Sequence, residues 1–134
     1  MAPRIPIRKT YAFVGDGETE LWYLQMHSDE QLRKTVVFIA NTPCLEYWIL
    51  LHVVQTTRYY DSCEKVISEI RKHQPLSDYS KSQKYYQQAD DIYKRLKPYL
   101  PAAKANAART GRFNPANLET GLSEMNRIFE ELGI

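Results

Sequence analysis

The sequence predicts an α/β protein: a short N-terminal βαβ unit with parallel strands, followed by a mainly α-helical C-terminal half. Three observations carry this. Tyr11, Phe13 and Val14, and then Thr35-Val-Val-Phe-Ile-Ala40, form two runs of strand length with aromatic and β-branched character. Between them lies room for one helix, and a crossover of that kind is expected to be right-handed and to set its two strands parallel. Beyond Asn41, apolar residues recur at helical rather than alternating spacing.

In chain order, the first strand runs into a glycine turn, Gly15-Asp-Gly17, and Glu18 to Met26 reads as a helix. The segment from Met26 to Lys34 is polar, and the second strand follows to Ala40. Asn41-Thr42-Pro43 then stops that strand, with Thr42 as expected N-cap and Pro43 at the first helical position. Cys44 to about Gln55 is apolar on most sides, so this helix is expected to be buried, with Glu46 and His52 as polar groups that need partners there. At 100° per residue those two lie about 120° apart around the axis.

Asp61 or Ser62 is expected to cap a helix reaching His73, and Gln74-Pro75-Leu76-Ser77 reads as a turn. Ser82 to Lys97 carries Tyr85, Ala89, Ile92 and Leu96 at helical spacing. Ala102 to Arg109 reads as a short helix ending at Gly111. A last helix is expected to bury Leu118, Leu122, Met125, Phe129 and Leu132 along one stripe.

The chain has 134 residues, 43% hydrophobic and 25% charged, which suits one soluble domain with a real core. Within it, residues 1–57 would form the βαβ unit plus the buried helix, and 58–134 the helical part. No apolar run approaches the roughly 20 residues that span a bilayer, and the first nine residues have no apolar signal core. A cytoplasmic location without membrane contact is the expectation. Cys44 and Cys63 are accordingly expected as free thiols. With His52 and His73 they lack the spacing of a zinc site.

Asp16, Glu18 and Glu20 crowd the turn between the first strand and its helix, where open α/β sheets commonly bind ligands. The dinucleotide fingerprint fails because Glu20 stands in place of the third glycine, and the Walker Gly-Lys-Ser/Thr is absent. Two readings of the turn stand. Asp16 and Glu20 would hold a magnesium ion through hard oxygen ligands, or Asp16 caps the helix and the glutamates complement its dipole.

Net charge is uneven: −1 over residues 1–57, +6 over 58–112 and −3 over 113–134. The central segment also holds seven of the ten tyrosines. Basic and aromatic groups interleaved in this way suit DNA or RNA, with Lys81, Lys84, Lys94, Arg95 and Lys97 as the candidate contacts. The competing role for Tyr85, Tyr86 and Tyr93 is packing with a solvated hydroxyl edge.

Three segments together resemble the RloB-like family: Phe13-Val-Gly-Asp-Gly-Glu-Thr-Glu20, Asn41-Thr-Pro-Cys-Leu-Glu-Tyr-Trp-Ile-Leu-Leu-His52, and Asp90-Asp-Ile-Tyr-Lys-Arg-Leu-Lys-Pro-Tyr-Leu100. The first is similar to that family's E-G-x-T-E turn, shared in outline with the Toprim-type domain of OLD-family nucleases. The second is similar to its N-P-x-x-E-x-W-x-x-x-H signature, with Pro43, Glu46, Trp48 and His52 in matching order and Thr42 where the family has Asn. The resemblance implies a Toprim-like, magnesium-dependent nuclease of phage-defence or abortive-infection systems, paired with an ATP-binding partner of the ABC/AAA type. Carried over by position, Asp16 and Glu20 would bind the metal, and Glu46 and His52 would complete the catalytic set.

The sequence departs from the family in two places. Asp16 stands where Glu is usual, one methylene shorter, and the strand ending in D-x-D between the first helix and the Asn-Pro strand is missing. Fewer carboxylates would hold the ion less firmly, so the expected activity of the chain alone is weak. An interaction subunit that binds an ATPase is the alternative. Two central strands with unpaired edges also invite pairing with a second copy.

Overall fold

The computed structural model describes residues 11–15, 36–114 and 116–134, with side chains from 39 onward. The protein is mixed α/β and mostly helical. Strand β1 (Tyr11–Gly15) lies parallel to β2 (Val36–Thr42), with Tyr11 in register with Val36 and Gly15 with Ala40. Their connection, the helix expected from Glu18, and Asp16 and Glu20 themselves lie outside the described residues.

β2 extends two residues past its expected end at Ala40, because Asn41 and Thr42 pair antiparallel with a third strand, β3 (Leu122–Ser123). This corrects the last expected helix. Leu122 lies in β3 and packs with Ala40 and Phe113. The terminal helix covers only Asn126–Leu132 and leaves Leu132 62% exposed. The helical spacing of the five apolar residues was therefore no single face: the backbone of β2 beyond Ala40 needs hydrogen-bonding partners, and Leu122–Ser123 supplies them.

Helix α1 (Glu46–Leu50) is shorter than expected and starts later. Thr42 belongs to the strand and Pro43 to the turn after a cis Thr42–Pro43 peptide, so neither serves the helix start, and Leu45 stands at the N-cap without a side-chain cap. Burial is as the apolar composition requires: Tyr47, Leu50 and Leu51 are fully enclosed, each worth roughly 1.5–3 kcal/mol. Carbonyls just beyond the end of α1 are met from afar. Asn106 Nδ2 donates to Leu51 O at 2.8 Å and Val54 O at 3.4 Å.

Helix α2 (Cys63–Ile70) is capped by Ser62, whose Oγ accepts from Lys65 N at 3.3 Å, while Asp61 pairs with the Lys65 ammonium at 2.7 Å. The continuous helix expected over 82–97 is two: α3 (Gln83–Tyr86) and α4 (Ile92–Leu96). Asp91 explains the restart, because its carboxylate accepts from Lys94 N at 2.9 Å and caps a new helix. A 3-10 turn through Pro98 leads into α5 (Leu100–Thr110), which stops at Gly111 with φ +84°. With the terminal helix α6 (Asn126–Leu132), these elements enclose one apolar cluster from Tyr47 through Val66, Ile70, Leu76 and Tyr79 to Ala103 and Ala107.

Candidate functional site

Glu46 is the best-defined charged group near the strand ends. It sits in the first turn of α1, four residues past β2, and is 8% exposed. A buried carboxylate needs counter-charge and donors, and here the two oxygens divide the work. Oε1 faces the Lys81 ammonium at 3.1 Å and accepts from the Tyr79 hydroxyl at 3.4 Å. Oε2 lies 3.2 Å from Cys63 Sγ. Tyr79 is itself linked to the Tyr86 hydroxyl at 2.8 Å. Burial first, and then that hydrogen bond, hold the Tyr79 phenol far above its ordinary range, so it stays a donor.

Cys44 and Cys63 are joined by a disulfide, which corrects the expectation of free thiols. The chain leaves α1, loops through Thr56 to Tyr60 and returns so that the start of α2 lies against the start of α1. The two Cα atoms are thereby brought to 5.8 Å across a separation of 19 residues. Both sulfurs and a Glu46 carboxylate oxygen fall within 4.8 Å of one another.

His52 occupies a different environment. Its Nδ1 lies 3.0 Å from Trp48 O, and its ring meets the Trp48 ring edge-on at 4.7 Å between centroids. A carbonyl only accepts, so Nδ1 carries the proton and Nε2 is left as the acceptor. Burial lowers the His52 pKa, keeping the ring neutral at pH 7. Glu46 and His52 share no hydrogen-bond partner among these contacts, in keeping with their angular separation on the helix.

Sequence reasoning missed Glu124. It is 4% exposed and clasps the end of β2: its N–H donates to Ala40 O at 2.9 Å, its Oε1 accepts from Ala40 N at 3.0 Å, and its Oε2 meets Arg127 at 3.1 Å and Arg112 at 3.2 Å. A single glutamate in an unremarkable segment gives no signal of this. Beside it, Asn41 accepts from the Ser123 hydroxyl at 2.7 Å, while its buried Nδ2 has no partner among the described residues.

The basic candidates divide. Lys84, Lys94 and Lys97 are exposed, although Lys94 Nζ also reaches Ala89 O at 2.9 Å. Lys81 is engaged by Glu46. Arg95 is clamped by Asp78 at 2.7 Å and Asp90 at 3.0 Å, and its guanidinium lies 5.7 Å from the centre of the Tyr85 ring. Tyr85 is buried, whereas Tyr86 and Tyr93 are exposed.

Magnesium takes hard oxygen ligands, and the Glu46 carboxylate, with an ammonium on one oxygen and sulfur on the other, does not suit it. Comparison with known proteins adds one match: the family model described as RloB-like protein aligns with residues 16–132. No curated protein and no solved structure matches the chain.

Proposed function

Since this chain belongs to the RloB-like family, we propose that it is a nucleic-acid-binding component of a phage-defence or abortive-infection system, with a weakened Toprim-type magnesium site. The observation that carries the reading is the match over residues 16–132, which takes in the carboxylate turn and the Glu46 to His52 segment alike. The parallel β1 and β2, in register from Tyr11–Val36 to Gly15–Ala40, are the pairing a Toprim-like βαβ unit requires. In this proposal Asp16 and Glu20 hold magnesium at the end of β1. The ion would supply charge stabilisation to a phosphodiester under attack. His52, neutral and held by its Nδ1–H bond, offers Nε2 as a proton acceptor or as a fixed polar contact. Exposed Lys84, Lys94 and Lys97 would neutralise backbone phosphates.

The engagement of Glu46 favours a second reading. Its bonds to Lys81 and Tyr79 tie α1 to the segment before α3, a structural use of the signature carboxylate. That suits a non-catalytic subunit acting through an ATPase partner of the ABC/AAA type.

Cleavage separates the two. Purified protein is incubated with single- and double-stranded DNA and with RNA, in magnesium and in manganese, beside an Asp16→Ala, Glu20→Ala double variant. The expected result is weak or no cleavage by the parent. Robust cleavage that the double variant loses would establish a competent metal site and overturn the weakened-site reading. If the parent neither cleaves nor binds nucleic acid while an ATPase co-purifies with it, the second reading replaces the first.

A further inference from the structure

The geometry points to a thiolate–carboxylate metal site formed by Cys44, Glu46 and Cys63 when the cysteines are reduced, with zinc as its ion and the disulfide as its metal-free form. This site is separate from the magnesium chemistry of the carboxylate turn. Its three donor atoms already lie within 4.8 Å of one another. Zinc–sulfur bonds of about 2.3 Å in tetrahedral geometry need the two sulfurs roughly 3.8 Å apart. The Cα separation of 5.8 Å accommodates that by side-chain rotation once the S–S bond is gone. Two cysteines and a carboxylate are ligands that zinc accepts, and three protein ligands leave the fourth position open to water.

Two features of the surroundings favour a cation here over a plain disulfide. The first is charge. Two thiolates and Glu46 around a divalent ion leave one negative charge, and the Lys81 ammonium, 3.1 Å from Glu46 Oε1, neutralises it. The second is the division of labour on Glu46. Oε1 is occupied by Lys81 and Tyr79, which orient the carboxylate as outer partners of metal ligands do. Oε2 instead points at Cys63 Sγ, 3.2 Å away. A disulfide sulfur has no proton to donate to it. A metal ion bridging Oε2 and the sulfurs gives that oxygen a cationic partner in the same position.

The chemistry balances. A dithiol reductant gives two electrons and two protons to the Cys44–Cys63 bond and is itself oxidised to a disulfide; the two thiols formed then release two protons as zinc binds. The cation is soft-leaning because sulfur dominates the donor set, so magnesium is excluded from this position even where it binds at the turn.

The test uses the full chain, reduced with a dithiol, freed of metal by a chelator and exchanged into anaerobic buffer. Zinc alone is the first probe, with bound metal measured by elemental analysis. Cobalt is the second, because thiolate coordination gives it charge-transfer absorption that carboxylates do not. Expected are one zinc per reduced chain, protection of both thiols from a disulfide reagent, and a cobalt–thiolate spectrum. The oxidised chain should take up no zinc. Cys63→Ser should abolish the cobalt–thiolate band or shift it to a single-thiolate intensity, and Glu46→Gln should weaken zinc by at least tenfold. Equal zinc uptake by oxidised and reduced protein, or reduced protein with two reactive thiols that binds none, overturns the proposal. Those measurements on the parent do not depend on whether a variant folds.

Discussion

Removing the Glu124 carboxylate should unfasten the end of β2. In Glu124→Ala, the buried Ala40 N–H loses its acceptor at 3.0 Å, and Arg127, whose side chain is 19% exposed, loses the carboxylate oxygen at 3.1 Å. An orphaned buried donor costs about 1–3 kcal/mol, and breaking a buried ion pair from one side costs about 3–5 kcal/mol in well-enclosed cases. The Arg112 contact adds little, because that side chain is 69% exposed. Arg127 is only part-buried and keeps a further contact, so the second effect falls well below that limit and a loss of about 2–3 kcal/mol is expected for alanine. Glu124→Gln keeps an oxygen for Ala40 N but turns an NH2 donor toward Arg127 and Arg112, so a loss close to that of alanine, about 2 kcal/mol, is expected. Urea unfolding followed by circular dichroism measures both, with an unchanged slope required for the comparison. If alanine costs no more than a surface substitution, under about 0.5 kcal/mol, the clasp does not act as described.

Gly121→Ala should destabilise by about 1–3 kcal/mol through overpacking, because a Cβ there meets the Tyr47 hydroxyl and Arg58 O. Adding Tyr47→Phe should recover part of that loss, although it gives up the hydrogen bond to Arg58 O at 2.9 Å that the phenol, pushed up to about 12 mainly by burial, keeps donating; strict additivity in a double-mutant cycle would contradict this. His52 binds a proton more readily unfolded than folded, so its contribution to stability is present above pH 6.5 and is lost as pH falls toward its lowered folded pKa. His52→Gln should flatten that part of the urea-midpoint profile against pH, and an unchanged profile would refute it. Nucleic-acid affinity should fall steeply with salt and be lost in a Lys84→Glu, Lys94→Glu, Lys97→Glu variant; Arg95 is left in place because reversing it would break its bonds to Asp78 and Asp90. Binding that ignores those three reversals rules that surface out.

Local chemistry was legible in the sequence where one residue acts on its own neighbourhood. Ser62 caps α2, Gly111 ends α5, and the apolar run from Tyr47 to Leu51 is buried. The sequence failed where a distant segment competes for the same backbone. Thr42 reads as a helix cap until Leu122 pairs with it, and Leu122 reads as a helical core residue until Thr42 does. Asp91 shows a local version of the same failure, since its carboxylate restarts a helix inside an apolar spacing that looks continuous. For the site, Glu46 and His52 stand out as polar groups on an apolar helix, but their partners come from 33 to 35 residues further on, or from a backbone carbonyl one turn away. The cysteine pairing was hidden for the same reason. Nothing in a 19-residue separation indicates that the starts of two helices meet.

The position of Glu46 then constrains how the chain can work. Tyr79 and Lys81 belong to the segment that leads into α3, and Cys63 begins α2, so one carboxylate meets two separate stretches from the helix that follows β2. Turning Oε1 to magnesium would leave Lys81 or the Tyr79 hydroxyl without that acceptor, in a region where desolvation already raises the Tyr79 pKa, and Oε2 lies against sulfur, a donor that magnesium does not favour. A carboxylate so committed contributes best as a fixed charge. In the proposed metal-dependent cleavage, Asp16 and Glu20 would then hold the ion without Glu46. Glu46→Gln should accordingly reduce stability and zinc uptake by the reduced chain while leaving the magnesium dependence of any cleavage unchanged. A shifted magnesium requirement in that variant would place Glu46 in the metal shell after all.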